Sequence, residues 1–183
     1  SEAWESVIAG VTGSVTAMAF DANGDLYIGG TFTNLGDPNG DYIVKITNAA
    51  AVAGTAVPAF VSLGTGLQPS ELYDTRVYSI VINPNGTVYV CGTFKTAGGV
   101  AGTENIARYV NDTWYALGTG LNSYVYAMAL SPANILYIGG AFTNAEYPYL
   151  CKWTGSAFAV VGTNTDINGP VHALDFTPMG LLY

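Results

Sequence analysis

A motif that recurs four times constrains the fold of this 183-residue chain more than any other feature. Each copy begins with an apolar strand pattern, passes a turn rich in Gly, Pro, Asn or Asp, and continues into a second apolar strand that contains Tyr. The copies are residues 15–33 (VTAMAFDANGDLYIGGTFT), 77–95 (VYSIVINPNGTVYVCGTFK), 125–143 (VYAMALSPANILYIGGAFT) and 171–183 (VHALDFTPMGLLY). Self-similarity of this kind is typical of repeat architectures.

A second motif alternates with the first and begins with an aromatic residue. Its copies WESVIAGV, FVSLGTGL, WYALGTGL and FAVVGTNT start at Trp4, Phe60, Trp114 and Phe158. A shorter strand pattern with a basic residue lies between the two motifs, as YIVKI, NIARY and YLCKW, starting at Tyr42, Asn105 and Tyr149. Each unit therefore holds four short strands within about 45–60 residues.

Four strands at this period predict an all-β fold, a β-propeller of four-stranded antiparallel blades, with about three and a half blades in this chain. Propeller blades pack face to face, and continuous apolar strands such as Leu26–Ile28 are typical of strands buried on both faces. Glycines are expected where a strand bends or backbones approach closely, at Gly30, Gly92 and Gly140. The aromatic residues of the second motif are expected to pack between blades.

The repeat predicts one propeller segment over residues 1–183. Its units run approximately over residues 12–67, 68–121, 122–165 and 166–183, the last incomplete, with residues 1–11 as the outer strand of a preceding unit. Because the units at the two ends lack strands, we expect a segment of a longer repeat protein. The alternatives are an assembly of several chains in a ring or filament, and a self-sufficient four-bladed propeller.

Composition disfavours several classes of protein. Five Lys and Arg against thirteen Asp and Glu give a net charge of −8, which disfavours nucleic-acid binding. A 13% aromatic content argues against disorder, and no apolar run approaches the roughly 18 residues of a transmembrane helix. Only 10% of the residues are charged and the mean hydropathy is +0.31. Both values fit blades that are apolar on both faces and covered by their neighbours.

The segments WYALGTG, at residues 114–120, and LYIGGAF, at residues 136–142, carry a resemblance to a known family. The pattern resembles the kelch-like group of β-propellers, and it is most similar to the W-x-x-L-G-x-G and L-Y-x-G-G-x-F repeats of secreted and cell-surface proteins. The resemblance covers nearly the whole chain and implies the propeller fold, which serves many functions. The second unit departs from it with Cys91-Gly92, and two of the four units have Phe in place of Trp.

No residue pattern predicts catalysis or a cofactor. The single histidine, His172, aligns with Thr16, Tyr78 and Tyr126 of the other units, so a structural role is favoured over a Ser-His-acid triad. The Gly-rich segments lack the Lys-Ser/Thr of a phosphate-binding loop. Cys91 is expected to be a small buried residue, as is Cys151, although a disulfide between them remains an alternative. We therefore predict no enzyme and no cofactor.

The pattern Asp-x-Asn-Gly-Asp occurs twice, at residues 21–25 and 37–41. Carboxylates at this spacing can bind a hard cation, which makes Asp37, Asn39 and Asp41 a weak calcium candidate. Neither loop has the sixth-position Gly or the twelfth-position Glu of an EF-hand. Ordinary turns are therefore the favoured interpretation, and no metal site is predicted.

Tyrosines and carboxylates concentrate in loops that a propeller places on one face. These loops enter the first strand of a blade or join its second strand to its third. The candidate ligand-binding or partner-binding residues are Asp37, Asp41, Tyr42, Glu71, Tyr73, Asp74, Glu104, Tyr124, Glu146 and Tyr147. Their composition suits sugar stacking or protein contacts, although surface loops are also where a charge-poor protein keeps its charges.

Together these features favour a non-catalytic structural or interaction scaffold at an extracellular, cell or virion surface. The expected partners are other copies, or other parts of a longer chain, through exposed blade faces, with glycans as a further candidate. Neither a nucleic acid nor a transmembrane segment is expected. The alternatives are a lectin-like glycan-binding propeller and, less favoured, a propeller enzyme with its active site outside this segment.

Overall fold

Antiparallel sheets account for the regular structure of this chain. The computed structural model describes residues 11–36, 38–47, 59–144, 146–163 and 167–183. Within these ranges there are fourteen strands and no helix, and three antiparallel sheets have four strands each. No segment of the described chain therefore forms a helix able to cross a membrane. The fold is an all-β propeller of four-stranded blades, as the repeat predicts.

In each of the three blades the strands lie side by side in the order in which they occur along the chain. Blade 1 consists of β1 (Val15–Phe20), β2 (Leu26–Gly30), β3 (Ile43–Thr47) and β4 (Ala59–Ser62). Two short strands then pair with each other, β5 (Leu67–Gln68) and β8 (Thr96–Ala97). Blade 2 consists of β6 (Arg76–Ile82), β7 (Val88–Thr93), β9 (Ile106–Val110) and β10 (Thr113–Ala116). Blade 3 consists of β11 (Val125–Leu130), β12 (Leu136–Gly140), β13 (Leu150–Trp153) and β14 (Phe158–Val160).

The fourth unit is a short hairpin at residues 171–183. One bridge joins Phe176 to Leu182, and Asp175 exchanges two backbone hydrogen bonds of 3.0 Å with Tyr183. The repeat predicts two strands here, whereas the structure forms this single bridge and no named strand.

The first strands of blades 1–3 lie next to one another, β1 beside β6 and β6 beside β11. Each contains a β-bulge at the same point of its pairing with the second strand. The extra residues at the bulges are Thr16, Tyr78 and Tyr126. A bulge redirects the side chain of its extra residue, so these three side chains leave the alternation of the strand.

Successive blades pack through a contact between the first strand of one blade and the second strand of the blade before it. A Cβ atom built on Gly29 would lie 2.8 Å from the Cβ of Val77 in blade 2. At the equivalent position of blade 3, a Cβ on Gly139 would lie 3.0 Å from the Cβ of Val171 in the fourth unit. The absence of a side chain therefore lets the next strand approach closely.

The two cysteines lie in the apolar cluster that joins blades 2 and 3. Cys91 occupies the position that Gly29 and Gly139 hold in the other blades. Both cysteines are buried and free, so the disulfide alternative is not formed. Burial raises the pKa of the Cys91 thiol strongly, and it raises the pKa of Cys151 to about 12. Both therefore act as small apolar side chains in the core.

The aromatic residues of the second motif lie in or against the apolar clusters. Trp114 is buried between blades 1 and 2, and its indole Nε1 donates a hydrogen bond of 2.8 Å to the carbonyl of Leu63. Phe158 packs against the cluster between blades 2 and 3, and Phe60 packs against the cluster of blade 1. Trp4 lies outside the described residues.

Gly30, Gly92 and Gly140 allow a close approach between the first two strands of each blade. A Cβ atom on Gly92 would collide with the carbonyl oxygen of Arg76. The Gly92 amide also donates a hydrogen bond of 3.0 Å to the carbonyl of Asn105, directly before the third strand. The same collision would occur at Gly30 with Ser14 and at Gly140 with Tyr124.

We predict that Gly92→Ala lowers the free energy of unfolding by about 2 kcal/mol or more, because the two strands must separate to admit the methyl group. Urea denaturation followed by tryptophan fluorescence measures the change. Gly169→Ala is the matched control, since no atom lies within 4 Å of a Cβ at Gly169. Equal stability of the two variants would contradict this account of the repeat glycines.

Candidate functional site

Three loops meet on one face of blades 2 and 3. They are the loop before β6, the loop between β7 and β9, and the loop before β11. Together they line a cavity of about 290 Å³. Its lining residues are Ser70, Glu71, Leu72, Tyr73, Phe94, Lys95, Glu104, Asn105, Asn122, Ser123 and Tyr124. These loops are of the two kinds that a propeller places on one face, so the expected convergence occurs here.

A second cavity, of about 370 Å³, shares Tyr73 and Tyr124 with the first. We call it the tyrosine cavity. Its lining residues are Tyr73, Asp74, Arg76, Tyr78 and Tyr124. It therefore combines three phenol groups with one carboxylate and one guanidinium.

The repeat itself positions the side chains of the tyrosine cavity. Arg76 and Tyr124 occupy the same position in consecutive units, directly before the buried Val77 and Val125. Tyr78 is the extra residue of the bulge in β6. The beginnings of two adjacent first strands therefore supply three of the five lining residues.

Buried threonines fix the loop that carries Tyr73 and Asp74. The Thr93 hydroxyl donates a hydrogen bond of 2.7 Å to the carbonyl of Asp74 and accepts one of 3.1 Å from the amide of Arg76. The Thr75 hydroxyl accepts a hydrogen bond of 2.7 Å from the amide of Ser70. Thr93 and Thr75 are both buried, so the backbone around the cavity is held before any ligand arrives.

Five aromatic rings form a continuous group beside the cavity, which we call the ring row. The centroids of Tyr73 and Tyr124 are 4.7 Å apart, and Tyr124 stacks on Tyr126 at 5.8 Å. Tyr126 in turn stacks on His172 at 4.6 Å and meets the edge of Tyr78 at 5.4 Å. These separations are those of favourable aromatic pairs. The ring row therefore links the second, third and fourth units.

The charges near the cavity differ in how they are compensated. Glu71 forms an ion pair with Lys95, which holds the pKa of that carboxyl below its usual range. The guanidinium of Arg76 lies 5.9 Å from the ring centre of Tyr78. Among the described residues, ion pairs involve Lys45 and Lys95 but not Arg76. Desolvation and the neighbouring Tyr73 raise the pKa of Tyr124.

The structure brings half of the sequence-predicted site residues together. Those that line one or both of the two cavities are Glu71, Tyr73, Asp74, Glu104 and Tyr124. Those that line neither are Asp41, Tyr42, Glu146 and Tyr147. Asp37 lies outside the described residues. The candidate surface is therefore confined to the loops of blades 2 and 3.

Two of the residues outside the cavities contribute to packing. Tyr42 packs against the cluster between blades 1 and 2, and its backbone has a φ of 63° directly before β3. Tyr147 packs against the cluster between blades 2 and 3, with its ring centre 5.8 Å from that of Phe158. Burial raises the pKa of both phenols.

The other two residues hold hydrogen bonds within their own loops. The Asp41 carboxylate accepts a hydrogen bond of 2.7 Å from the amide of Asn34. The Glu146 amide donates one of 2.9 Å to the side chain of Asn144.

The weak calcium candidate comprises Asp37, Asn39 and Asp41. Asp37 lies outside the described residues, and the Asp41 carboxylate accepts a hydrogen bond from the amide of Asn34. No group of three or more His, Cys, Asp or Glu residues suited to a metal occurs among the described residues. At the other Asp-x-Asn-Gly-Asp loop, the Asp21 carboxylate accepts amide hydrogen bonds from Asn23 and Asp25, as in an ordinary turn.

Sequence reasoning did not include Arg76, Tyr78, Tyr126 and His172 in the site. A signal was present, because Tyr78, Tyr126 and His172 are rings at one position of three consecutive units. The β-bulges of β6 and β11, which redirect the side chains of Tyr78 and Tyr126, could not be read from the alternation of apolar residues.

A second surface of interest lies on blade 1. Val15, Met18 and Phe20 of β1 are exposed, with Met18 at 67% and Phe20 at 59%. We call these three residues the β1 strip. The same positions in blade 2 pack on blade 1, and Ile80, the counterpart of Met18, is only 6% exposed. The β1 strip is thus a blade contact that nothing in the described chain covers.

In the fourth unit, the tyrosine equivalent to those of the other second strands is exposed. Tyr183 is 69% exposed, whereas its counterparts Tyr27 and Tyr89 are 7% and 8% exposed. Phe176, the counterpart of Phe20, packs edge-on against Tyr137 of blade 3 with ring centres 5.0 Å apart. Elsewhere in the repeat, the residue at the position of Phe20 therefore contacts a tyrosine at the position of Tyr183.

Comparisons with known proteins found similarity to solved structures only. No protein-family model matches the chain. A search of curated proteins found no match. Among solved structures, "YCF48 bound to D1 peptide" is similar over 94% of this chain, with a TM-score of 0.40 and 15% sequence identity. The chain spans about 60% of the length of that protein.

Proposed function

We propose that this chain is a non-catalytic interaction scaffold, a kelch-like propeller segment of a longer repeat protein at an extracellular, cell or virion surface, whose blade faces contact other copies or other parts of that protein. The exposed β1 strip is the observation that carries this proposal. Val15, Met18 and Phe20 are apolar, and the residues at their positions in blades 2 and 3 pack against the preceding blade. An apolar strip of this kind is typical of an interaction surface.

The candidate occupants of the β1 strip are the fourth unit of a second copy of this chain and another part of a longer repeat protein; the first of them is testable on this chain alone. The β1 strip contains the side chains that, in blades 2 and 3, pack against the preceding blade. The fourth unit contains the exposed Tyr183, and a tyrosine at this position contacts such side chains elsewhere in the repeat. The two surfaces lie on different parts of the chain, so the contact is head-to-tail. A head-to-tail contact generates a ring when its rotation closes and a filament when it does not.

The expected assembly is reversible. Burying a Val, Met or Phe side chain contributes about 1.5–3 kcal/mol relative to leaving it exposed. Association costs about 4–15 kcal/mol in lost translational and rotational freedom. Burying these three side chains and one tyrosine compensates for part of this cost or exceeds it by a small amount. The fraction of chains that are assembled therefore depends on protein concentration.

We predict that the wild-type chain forms larger species as its concentration rises, and that Met18→Glu with Phe20→Glu shifts it to the monomer. The two carboxylates would have to be buried without a partner in the contact. Sedimentation velocity over a concentration series measures the distribution. Leu72→Glu is the control, because Leu72 is an even more exposed apolar residue that lies on a loop outside the blade faces.

A wild-type chain that stays monomeric at all concentrations would contradict assembly from second copies. Equal loss of association in the Leu72→Glu variant would contradict the specific role of the β1 strip, because any exposed apolar residue would then suffice.

A second candidate function is lectin-like glycan binding, and the tyrosine cavity is the observation that favours it. Three tyrosines, one carboxylate and one guanidinium converge on a cavity of about 370 Å³. Tyrosine rings pack against the apolar faces of sugars, and the polar groups bind sugar hydroxyls.

Under this second candidate, the wild-type chain binds at least one glycan on an array, and Tyr73→Ala or Tyr124→Ala removes that binding while assembly persists. Tyr115→Ala is the control, because Tyr115 is an exposed tyrosine on the outer strand β10. Absence of binding to every glycan would contradict the second candidate and leave the scaffold proposal standing.

A further inference from the structure

We infer that the tyrosine cavity takes a single carboxylated sugar residue, such as a hexuronic or sialic acid at the end of a glycan, with Arg76 binding the carboxylate. This inference deepens the second candidate function and rests on it; the assembly through the β1 strip is independent of it.

The first argument is that the guanidinium of Arg76 has no ion-pair partner among the described residues. Arg76 is half-buried and lines the cavity. A guanidinium offers a planar fork of donors that matches a carboxylate in two parallel hydrogen bonds. The cavity therefore contains a guanidinium that forms no ion pair among the described residues, although the Asp74 carboxylate lines the same cavity, and its geometry matches a planar oxyanion.

The second argument is that Arg76 is held in place. Its amide is bonded to the buried Thr93, and its guanidinium lies over the ring of Tyr78 at 5.9 Å. The Thr93 hydroxyl also donates a hydrogen bond to the carbonyl of Asp74, two residues before Arg76. Less side-chain freedom is therefore lost when a ligand binds, which raises affinity without additional contacts.

The size and lining of the cavity favour a sugar ring over a bare anion. A volume of about 370 Å³ lies near the lower end of the range for small-molecule sites, which suits one or two sugar units. Tyr73, Tyr78 and Tyr124 contribute ring surface and hydroxyl groups to this volume. Asp74 adds an acceptor for sugar hydroxyls, so the cavity can bind both the acidic group and the polyhydroxylated ring.

The net charge of the chain limits the ligand to one that carries an isolated carboxylate. At a net charge of −8, a polyanion would be repelled along its length. The net negative charge of the chain repels a single carboxylate in contact with Arg76 less strongly, because interactions with protein charges more than about 8 Å away are largely screened at physiological ionic strength. A terminal acidic sugar on an otherwise neutral glycan meets this condition.

Matched pairs of sugars test the inference on the wild-type chain. Methyl β-glucuronide and methyl β-glucoside differ only at C6, which is a carboxylate in the first and a hydroxymethyl group in the second. 3′-Sialyllactose and its derivative with the sialic acid carboxylate reduced to a hydroxymethyl group differ in the same way. Calorimetric titration is expected to give at least about tenfold tighter binding for the acidic member of at least one pair. Acetate serves as a further probe, and binding of acetate equal to that of the acidic sugars would overturn the role of the ring.

Equal binding of both members of each pair would overturn the carboxylate contact while leaving glycan binding in place. Absence of binding by both acidic sugars would overturn the inference. Sedimentation of the same samples shows whether assembly through the β1 strip also fails, so failure of this inference and failure of the scaffold proposal are distinguishable.

Variants of Arg76 test its role directly. Arg76→Gln is expected to abolish the preference for the acidic sugar, and Arg76→Lys is expected to keep part of it, because the charge remains and the fork is lost. Arg108→Gln is the matched control, since Arg108 is also half-buried, lies over Tyr115 at 5.6 Å and does not line the cavity. A preference unchanged in Arg76→Gln would overturn the assignment of Arg76.

Discussion

The rest of the structure depends on the packing of each first strand on the blade before it. At Gly29 and Gly139 the absence of a side chain lets a valine of the next unit approach the second strand. A chain with 10% charged residues and a positive mean hydropathy can bury enough surface only by repeating this contact. The low charge content therefore fits blades whose faces are covered by their neighbours, as both faces of blade 2 are.

The same contact places both candidate surfaces. Because first strands lie side by side, the residues at their beginnings and bulges meet those of the next unit, which brings Arg76 and Tyr78 close to Tyr124. The β1 strip and Tyr183 are exposed because no further unit among the described residues covers them. The tyrosine cavity and the β1 strip thus both follow from the placement of the first strands.

The strand order and the blade repeat could be predicted from the sequence, since apolar-Tyr-apolar strands recur with turns at fixed offsets. The loops of one face could be predicted as well, and Tyr73 and Tyr124 line a common cavity there. The contribution of Arg76 and Tyr78 could not be predicted, because it depends on a bulge and on the neighbouring blade. Tyr42 and Tyr147 pack against apolar clusters, and a loop position alone does not distinguish packing from exposure.

Photo-crosslinking from position 20 tests most directly whether the β1 strip is an open blade contact. With Phe20 replaced by a photoreactive benzoylphenylalanine, the account predicts an intermolecular product that joins position 20 to the region of Leu181–Tyr183 in a second copy, located by mass spectrometry. Irradiation that gives no intermolecular product, or one that joins position 20 to residues outside the fourth unit, would contradict it.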